Sequence, residues 1–249
     1  MDLYGLIGYP LGHSFSRGFF TEKFQREGID AEYRNYEIPD ANQLLDVLRE
    51  IPQLRVLNCT IPHKQAIIPL LNEMSDEARR IGAVNVIAVS RQADGTPWLK
   101  GYNSDIIGFM DSIRPLLQSH HKKALVLGTG GASRAICVGL EKLGLQWRFV
   151  SRSPREGAFT YDELNAEVIE QYQVIVNCSP VGMFPHVDDC PNIPYQLLTP
   201  QHLLYDVVYN PLETLFMKKG AAQGAVVKNG LEMLHLQALA SWRFWNEAE

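Results

Sequence analysis

The chain has 249 residues, enough for one large domain or two small ones, with an ordinary hydrophobic share of 46% and a formal net charge of −5. That balance leaves no basic footprint for nucleic acid or an anionic membrane, so small molecules are the expected partners. No stretch approaches the roughly 20 apolar residues of a membrane span, and the opening MDLYGLIGYP lacks the basic region of a signal peptide, so a cytoplasmic location is expected.

Strand-like runs stand at LYGLIGY, AEYRNYEI, LRVLNCTI and VNVIAVS, separated by amphipathic helical stretches, and predict an α/β unit with a mostly parallel sheet. The segment SDIIGFMDSIRPLLQSHH reads as a linking helix, and the HHKK run at 120–123 as a solvated turn. A second α/β series follows: KALVLG, a glycine turn, the helical ASRAICVGLEKLG, then WRFVS, VIVNCS, LLYDVVY and AVVKN. NGLEMLHLQALASWRFWNEAE has apolar residues at helical spacing and reads as a long last helix. Cys59, Cys137, Cys178 and Cys190 lie far apart and read as reduced, mostly buried thiols. The histidines show no ligand spacing, so no metal is expected.

GHSFSRGF at 12–19 places Ser14 and Ser16 one residue apart beside Arg17. In an extended segment both hydroxyls face one way and suit a single ligand; the rival reading is a serine N-cap for the helix that follows. A cap uses one hydroxyl and leaves the other without a task.

ALVLGTGGASRA sets Gly128, Gly130 and Gly131 between a predicted strand and a predicted helix, the context of a dinucleotide-binding turn. Gly128 makes the tight turn and Gly130 allows the backbone to approach a pyrophosphate at the helix N-terminus. Ser133 replaces the third glycine of the pattern. The next strand ends in SRSPR, with Ser151, Arg152, Ser153 and Arg155 and no acid. A carboxylate there repels a 2′-phosphate, whereas a guanidinium grips it, so the expected cofactor is NADP rather than NAD.

NCTIPHK at 58–64, GAVNV at 82–86, GYNSDIIG at 101–108 and the last helix bring Asn58, Thr60, Lys64, Asn85, Asp105 and Gln237 to predicted strand ends or helix starts. Together they suggest a pocket for a polyhydroxylated molecule.

Over nearly its full length the chain resembles the shikimate dehydrogenase family. G-x-P-x-x-H-S-x-S stands at Gly8–Ser16, N-V-T-x-P-x-K at Asn58–Lys64 with Cys59 for valine, and G-A-V-N-T at Gly82–Val86. N-T-D-x-x-G stands at Asn103–Gly108 with Ser104 for the threonine, G-x-G-G-A at Gly128–Ala132, D-x-x-Y-x-P at Asp206–Pro211, and G-x-x-M-L-x-x-Q at Gly230–Gln237. The resemblance implies reversible reduction of 3-dehydroshikimate to shikimate with NADPH, on the route to chorismate and the aromatic amino acids. It also implies two lobes. One is an N-terminal α/β substrate-binding and catalytic domain over residues 1–105, joined by a C-terminal helix at 231–249; the other is a Rossmann-like NADP domain over 106–230. Monomer and homodimer are both compatible with it.

Carried over by position, it assigns Ser14 and Ser16 to the substrate carboxylate with Tyr209 nearby. Thr60, Lys64, Asn85, Asp105 and Gln237 would surround the ring hydroxyls, with Asn58 supporting that wall. Gly128, Thr129, Gly130, Gly131 and Ala132, with the Ser151–Arg155 turn, would hold the cofactor, and Val207 and Gly230 would flank the nicotinamide. Ketone reduction produces an alkoxide that needs a proton, which Lys64 can supply while Asp105 orients it.

Arg17 stands where the family has proline, and either adds to the anion field or points into water. The segment between Ser151 and Val174 looks too short for the family's usual strand and helix, so a trimmed cofactor lobe is expected. Quinate in place of shikimate, NAD in place of NADP, and a sensor without catalysis remain open alternatives.

Overall fold

A computed structural model describes residues 1–12 and 14–247, the side chain of Glu247 excepted. Two compact units divide the chain, one made of residues 1–104 with the stretch from Ala238 onward, the other of residues 105–237.

The first unit runs β1 (Asp2–Gly8), α1 (Phe15–Glu27), β2 (Ala31–Glu37), α2 (Leu44–Glu50), β3 (Leu54–Cys59), α3 (His63–Ala66), β4 (Glu73–Met74), α4 (Asp76–Ile81), β5 (Val86–Arg91) and β6 (Pro97–Tyr102). Its sheet has the order β2-β1-β3-β5-β6-β4. β1 pairs parallel with β2 and β3, while β3–β5 and β5–β6 are antiparallel. Strand β6 was not anticipated. Its cue is the Asp94-Gly95 step in a tight connection, where Gly95 has φ +84°. One face of the sheet packs Leu3, Ile7, Leu57 and Ile87 against Leu44, Leu48 and Ala78 from the helices and Ile67 just after α3. The other packs Tyr4, Leu6, Tyr33 and Val56 against Phe20 and Phe24 of α1 and against Ala238 and Trp245.

The second unit runs α5 (Asp105–Ile113), β7 (Lys123–Leu127), α6 (Gly131–Lys142), β8 (Gln146–Ser151), β9 (Ala158–Thr160), α7 (Ala166–Gln171), β10 (Val174–Asn177), β11 (Leu203–Asp206), α8 (Leu215–Ala221), β12 (Val226–Lys228) and α9 (Leu231–Glu247). Its sheet is parallel throughout, in the order β12-β11-β10-β7-β8-β9. Strands β10 and β11 are buried at every residue, as strands covered on both faces must be. Phe109, Ile136, Leu140 and Met233 cover one face, and Ile169, Phe216 and Met217 the other.

Helix α9 is shared between the units. Met233 packs into the second unit's core, whereas Ala238 and Trp245 belong to the first.

Three expectations are corrected. The linking helix stops at Ile113, ahead of a short 3-10 turn carrying Pro115, because proline removes the amide a continuing helix needs. The HHKK run is not solvated throughout: His121 is buried, its Nδ1 accepts from Gln118 N, and its Nε2 meets Gln201 O at 3.0 Å. The stretch from Ser151 to Val174 lacks neither element: it holds a strand, β9, of three residues and a helix, α7, of six. Thr160 and Asn165 cap the turns that make this brevity possible.

Candidate active site

In the second unit the strand order reverses between β7 and β10, and the carboxyl ends of strands on either side of that switch open a cavity of about 350 Å³. Such a point is where doubly wound sheets bind ligands. Gly128, Thr129, Gly130, Ser151 and Arg152 line it, as anticipated, together with Tyr161, Cys178, Ser179, Pro180 and Val181, which were not. A polar N-C-S-P step directly after an apolar strand was the available signal for the last group.

Gly128 has φ +93°, and a Cβ there would stand 3.2 Å from the Ser179 side chain, so the turn itself demands glycine. A Cβ at Gly130 or Gly131 would meet nothing within 4 Å. Internal packing therefore does not require glycine at these two positions; what its absence of side chain does is leave the start of the 12-residue helix α6 open. An exposed helix N-terminus with free approach suits a phosphate. Ser133 is fully buried, and its hydroxyl donates to Gly130 O at 2.6 Å, which closes the turn that a third glycine would serve by close packing.

At the end of β8, Ser151 Oγ donates to Ser153 O and tightens the turn. Arg152 is exposed on the cavity rim and acts electrostatically on Tyr161, whose phenol is raised by burial and lowered in smaller part by that guanidinium. Ser153, Arg155 and Ala132 do not line the cavity. Arg155 lies 6.0 Å from the Phe149 ring centroid, and Ala132 packs against the core. These residues fit a dinucleotide with a 2′-phosphate: an open helix N-terminus, a cation at the end of the second strand, and no acid among the lining residues.

Val207 and Gly230 are brought together, since a Cβ on Gly230 would fall 2.0 Å from Val207 O. Tyr209 is 39% exposed, Asp105 is buried as the first residue of α5, and Gln237 is half-buried with Nε2 donating to Leu234 O at 2.9 Å.

In the first unit the two serines separate. Ser14 holds the N-cap position of α1 in an extended conformation yet makes no cap hydrogen bond, and its Oγ is buried with no partner among the described residues. Ser16 lies inside the helix, so the two are not neighbours on one extended strand. The Ser16 hydroxyl bonds Tyr33, whose phenol burial pushes up and this bond pulls down. Tyr33 OH in turn donates to Asn58 Oδ1 at 2.8 Å. Arg17 is exposed and adds to the field on Glu32, whose carboxyl is held below its usual range chiefly by Arg34.

Asn58 is 6% exposed and faces inward, its Nδ2 donating to Asn85 O at 3.3 Å and Ser241 Oγ at 3.1 Å. Ser241 Oγ meets Ser104 Oγ at 3.0 Å, Asn85 Nδ2 donates to Ser104 Oγ at 2.9 Å, and Ser104 N donates to Asn85 Oδ1 at 2.7 Å. Asn58 is thus a member of a buried polar network. Ser241 was missed because a lone serine in a helix carries no sequence signal; Ser104, in the loop between β6 and α5, stood inside the N-T-D-x-x-G stretch but was given no role. The network sets the loops: Asn85 O accepts from Cys59 N at 2.9 Å, and Val84 N donates to Lys64 O at 2.7 Å. Lys64, half-buried on α3, is thereby tied to the Val84–Asn85 segment. Thr60 precedes it, with its N donating to Ile7 O and its O accepting from His63 N, each at 2.9 Å.

A parallel doubly wound unit with a glycine turn at its switch point, joined to a second α/β unit that carries the half-buried Lys64 on α3, is the arrangement of a nicotinamide-dinucleotide dehydrogenase. The profile of the shikimate dehydrogenase substrate binding domain matches residues 6–87. A shikimate dehydrogenase (NADP(+)) from Crocosphaera subtropica is 36% identical over 98% of this chain and 90% of its own length. The crystal structure of shikimate 5-dehydrogenase from Thermus thermophilus, in complex with NADP(H) and shikimate, superposes with a TM-score of 0.84 at 30% identity, over 99% of this chain and 94% of that one. Quinate dehydrogenase from Corynebacterium glutamicum, in complex with NAD, superposes with a TM-score of 0.87 at 27% identity, over 99% and 94%. The chain belongs to the shikimate dehydrogenase family.

Proposed function

We infer that the protein catalyses the reversible NADPH-dependent reduction of 3-dehydroshikimate to shikimate, a step toward chorismate and the aromatic amino acids. It is an NADP-dependent oxidoreductase acting on a secondary alcohol. The observation that carries this reading is the likeness, over 99% of the chain, to an enzyme solved with NADP(H) and shikimate together.

Bound NADPH supplies the hydride. The Lys64 ammonium polarises the ketone oxygen and gives up the proton that the alkoxide needs, while Asp105 orients the lysine and the adjoining ring hydroxyl. Ser14 and Ser16 hold the substrate carboxylate, with Tyr209 beside it, and Thr60, Asn85 and Gln237 take the ring hydroxyls. Asn58 acts one step back, through the network that holds Asn85. Gly128, Thr129, Gly130, Gly131 and Ala132 form the turn for the pyrophosphate, and Ser151, Arg152, Ser153 and Arg155 the turn for the 2′-phosphate. Val207 and Gly230 flank the nicotinamide. On the same reading the enzyme is cytoplasmic and a monomer or homodimer, in keeping with four free cysteines.

A second reading, quinate with NAD, is favoured by the Corynebacterium likeness. Reduced cofactor followed at roughly 340 nm, the nicotinamide absorbance, with shikimate or quinate and NADP or NAD separates them. Highest kcat/KM is expected for shikimate with NADP. Preference for quinate with NAD installs the second reading, and no turnover with any pair removes both in favour of a sensor.

A further inference from the structure

Asp206 is the last residue of β11 and is fully buried among Leu203, Leu204 and Tyr205. An apolar residue would be the cheaper occupant, because a buried ionised carboxylate forfeits its hydration. Burial pushes this carboxyl up to about 6, with bonds from Thr214, Val208 and Asn177 pulling the other way.

Its oxygens reach two loops. Oδ2 accepts from Thr214 Oγ1 at 2.6 Å, and Oδ1 accepts from both Asn177 Nδ2 and Val208 N at 3.0 Å. Asn177 is Asp206's register partner at the end of β10 and is fully buried itself. The Asn177 Oδ1 accepts from Ser179 N at 3.1 Å and Ser179 Oγ at 2.6 Å, and its Nδ2 also donates to Val181 O at 3.3 Å. Ser179 and Val181 are wall residues of the cofactor cavity, and Ser179 stands against Gly128. On the other side, Val208 O accepts from Gly230 N at 3.1 Å, and Val207 N donates to Asn177 O at 3.0 Å.

We propose that Asp206 is a positioning residue for the cofactor, its one carboxylate clamping the Asn177–Val181 loop and the Val207–Gly230 contact into a single register. This rests on the cavity being the NADP site. Asparagine retains the acceptor toward Asn177 and Val208 and turns its amide to Thr214 Oγ1, so Asp206→Asn keeps the clamp, whereas Asp206→Ala frees both loops.

The test is steady-state kinetics of full-length Asp206→Ala, Asp206→Asn, Thr214→Val and Arg152→Ala, each with its thermal midpoint. Asp206→Ala is expected to raise the KM for NADP about tenfold or more while the KM for shikimate stays within about twofold, and Asp206→Asn to restore most of it. A residue that only stabilised the fold would lower the midpoint and the active fraction and leave both KM values alone. Thr214→Val, which removes the Oδ2 partner and also the α8 cap on Met217 N, is expected to raise the NADP KM about threefold with the shikimate KM unchanged, and decides the matter if Asp206→Ala fails to fold; loss of the cap alone would lower the thermal midpoint and move neither KM. An NADP KM that Arg152→Ala raises but Asp206→Ala, or Thr214→Val in its place, leaves unchanged overturns this proposal alone. If Arg152→Ala leaves it unchanged, the cavity reading falls and the proposal falls with it.

Discussion

In the second unit, β10 and β11 are buried at every residue, and the cavity is lined by the end of β8, by the turns after β7, β8 and β10, and by Tyr161. In the first unit, β3 ends in Asn58 and Cys59, and the polar groups continue inward from Asn58 through Tyr33, Ser241, Ser104 and Asn85. On the proposed function, one unit would recognise largely with backbone and the other with side chains held by further side chains. The difference would follow from what each is asked to bind. A pyrophosphate is satisfied by amide groups at a helix N-terminus, which any glycine turn can present. A ring with several hydroxyls needs amides and hydroxyls aimed individually, and each of those must be fixed by a satisfied partner, because an unmet buried polar group is costly.

The comparison is broken or sharpened most by Lys64→Ala. Loss of a positioned proton donor predicts a fall in turnover of about 10²- to 10⁴-fold with little change in the KM for NADP. Unchanged turnover in a stopped-flow or steady-state assay removes Lys64 from the mechanism. Next comes Arg152→Ala, which is expected to raise the KM for NADP about 10- to 100-fold and to leave that for NAD nearly unchanged, because the charge-assisted bonds go to the 2′-phosphate alone. Equal effects on both cofactors would defeat the assignment.

Ser14→Ala separates the two readings of its hydroxyl. A capping serine contributes about 1 kcal/mol to stability, but this one makes no cap bond, so the urea midpoint should hold while the KM for shikimate rises about tenfold. A fall in stability with an unchanged KM would restore the cap.

The smallest effect concerns Asp206. Its native pKa, about 6, lies above the ordinary value of 3.8, so the folded state binds more protons than the unfolded state between those values and loses stability as pH rises through that window. Asp206→Asn lacks this term. Wild type should therefore lose about 1 kcal/mol relative to the variant between about pH 5 and about pH 7.5, measured by chemical denaturation at each pH. A gap that stays constant would mean that Asp206 does not titrate there.

Much of the second unit was legible in the residues. Apolar runs broken by a glycine turn and followed by a helix are local patterns, and Arg152 in the place of an acid is a local substitution. The serines at 14 and 16 show the opposite case. Their spacing suggested a shared strand face, whereas the chain turns helical between them, and Ser16 joins Tyr33 instead. The apparent trimming after Ser151 misled for a related reason, since a three-residue strand and a six-residue helix carry too little periodicity to be read without their neighbours.

From sequence alone came the alternation of α/β units, the phosphate turn, the NADP preference and the set of polar residues at strand ends, because each depends on residue types at short separation. The pairings of Asn58 with Ser241, 183 positions apart, and of Asp206 with Asn177 across two strands were decided only by the tertiary structure. A buried hydrogen bond needs both partners placed to within a few tenths of an ångström, and that placement belongs to the packed sheets rather than to any segment of the chain.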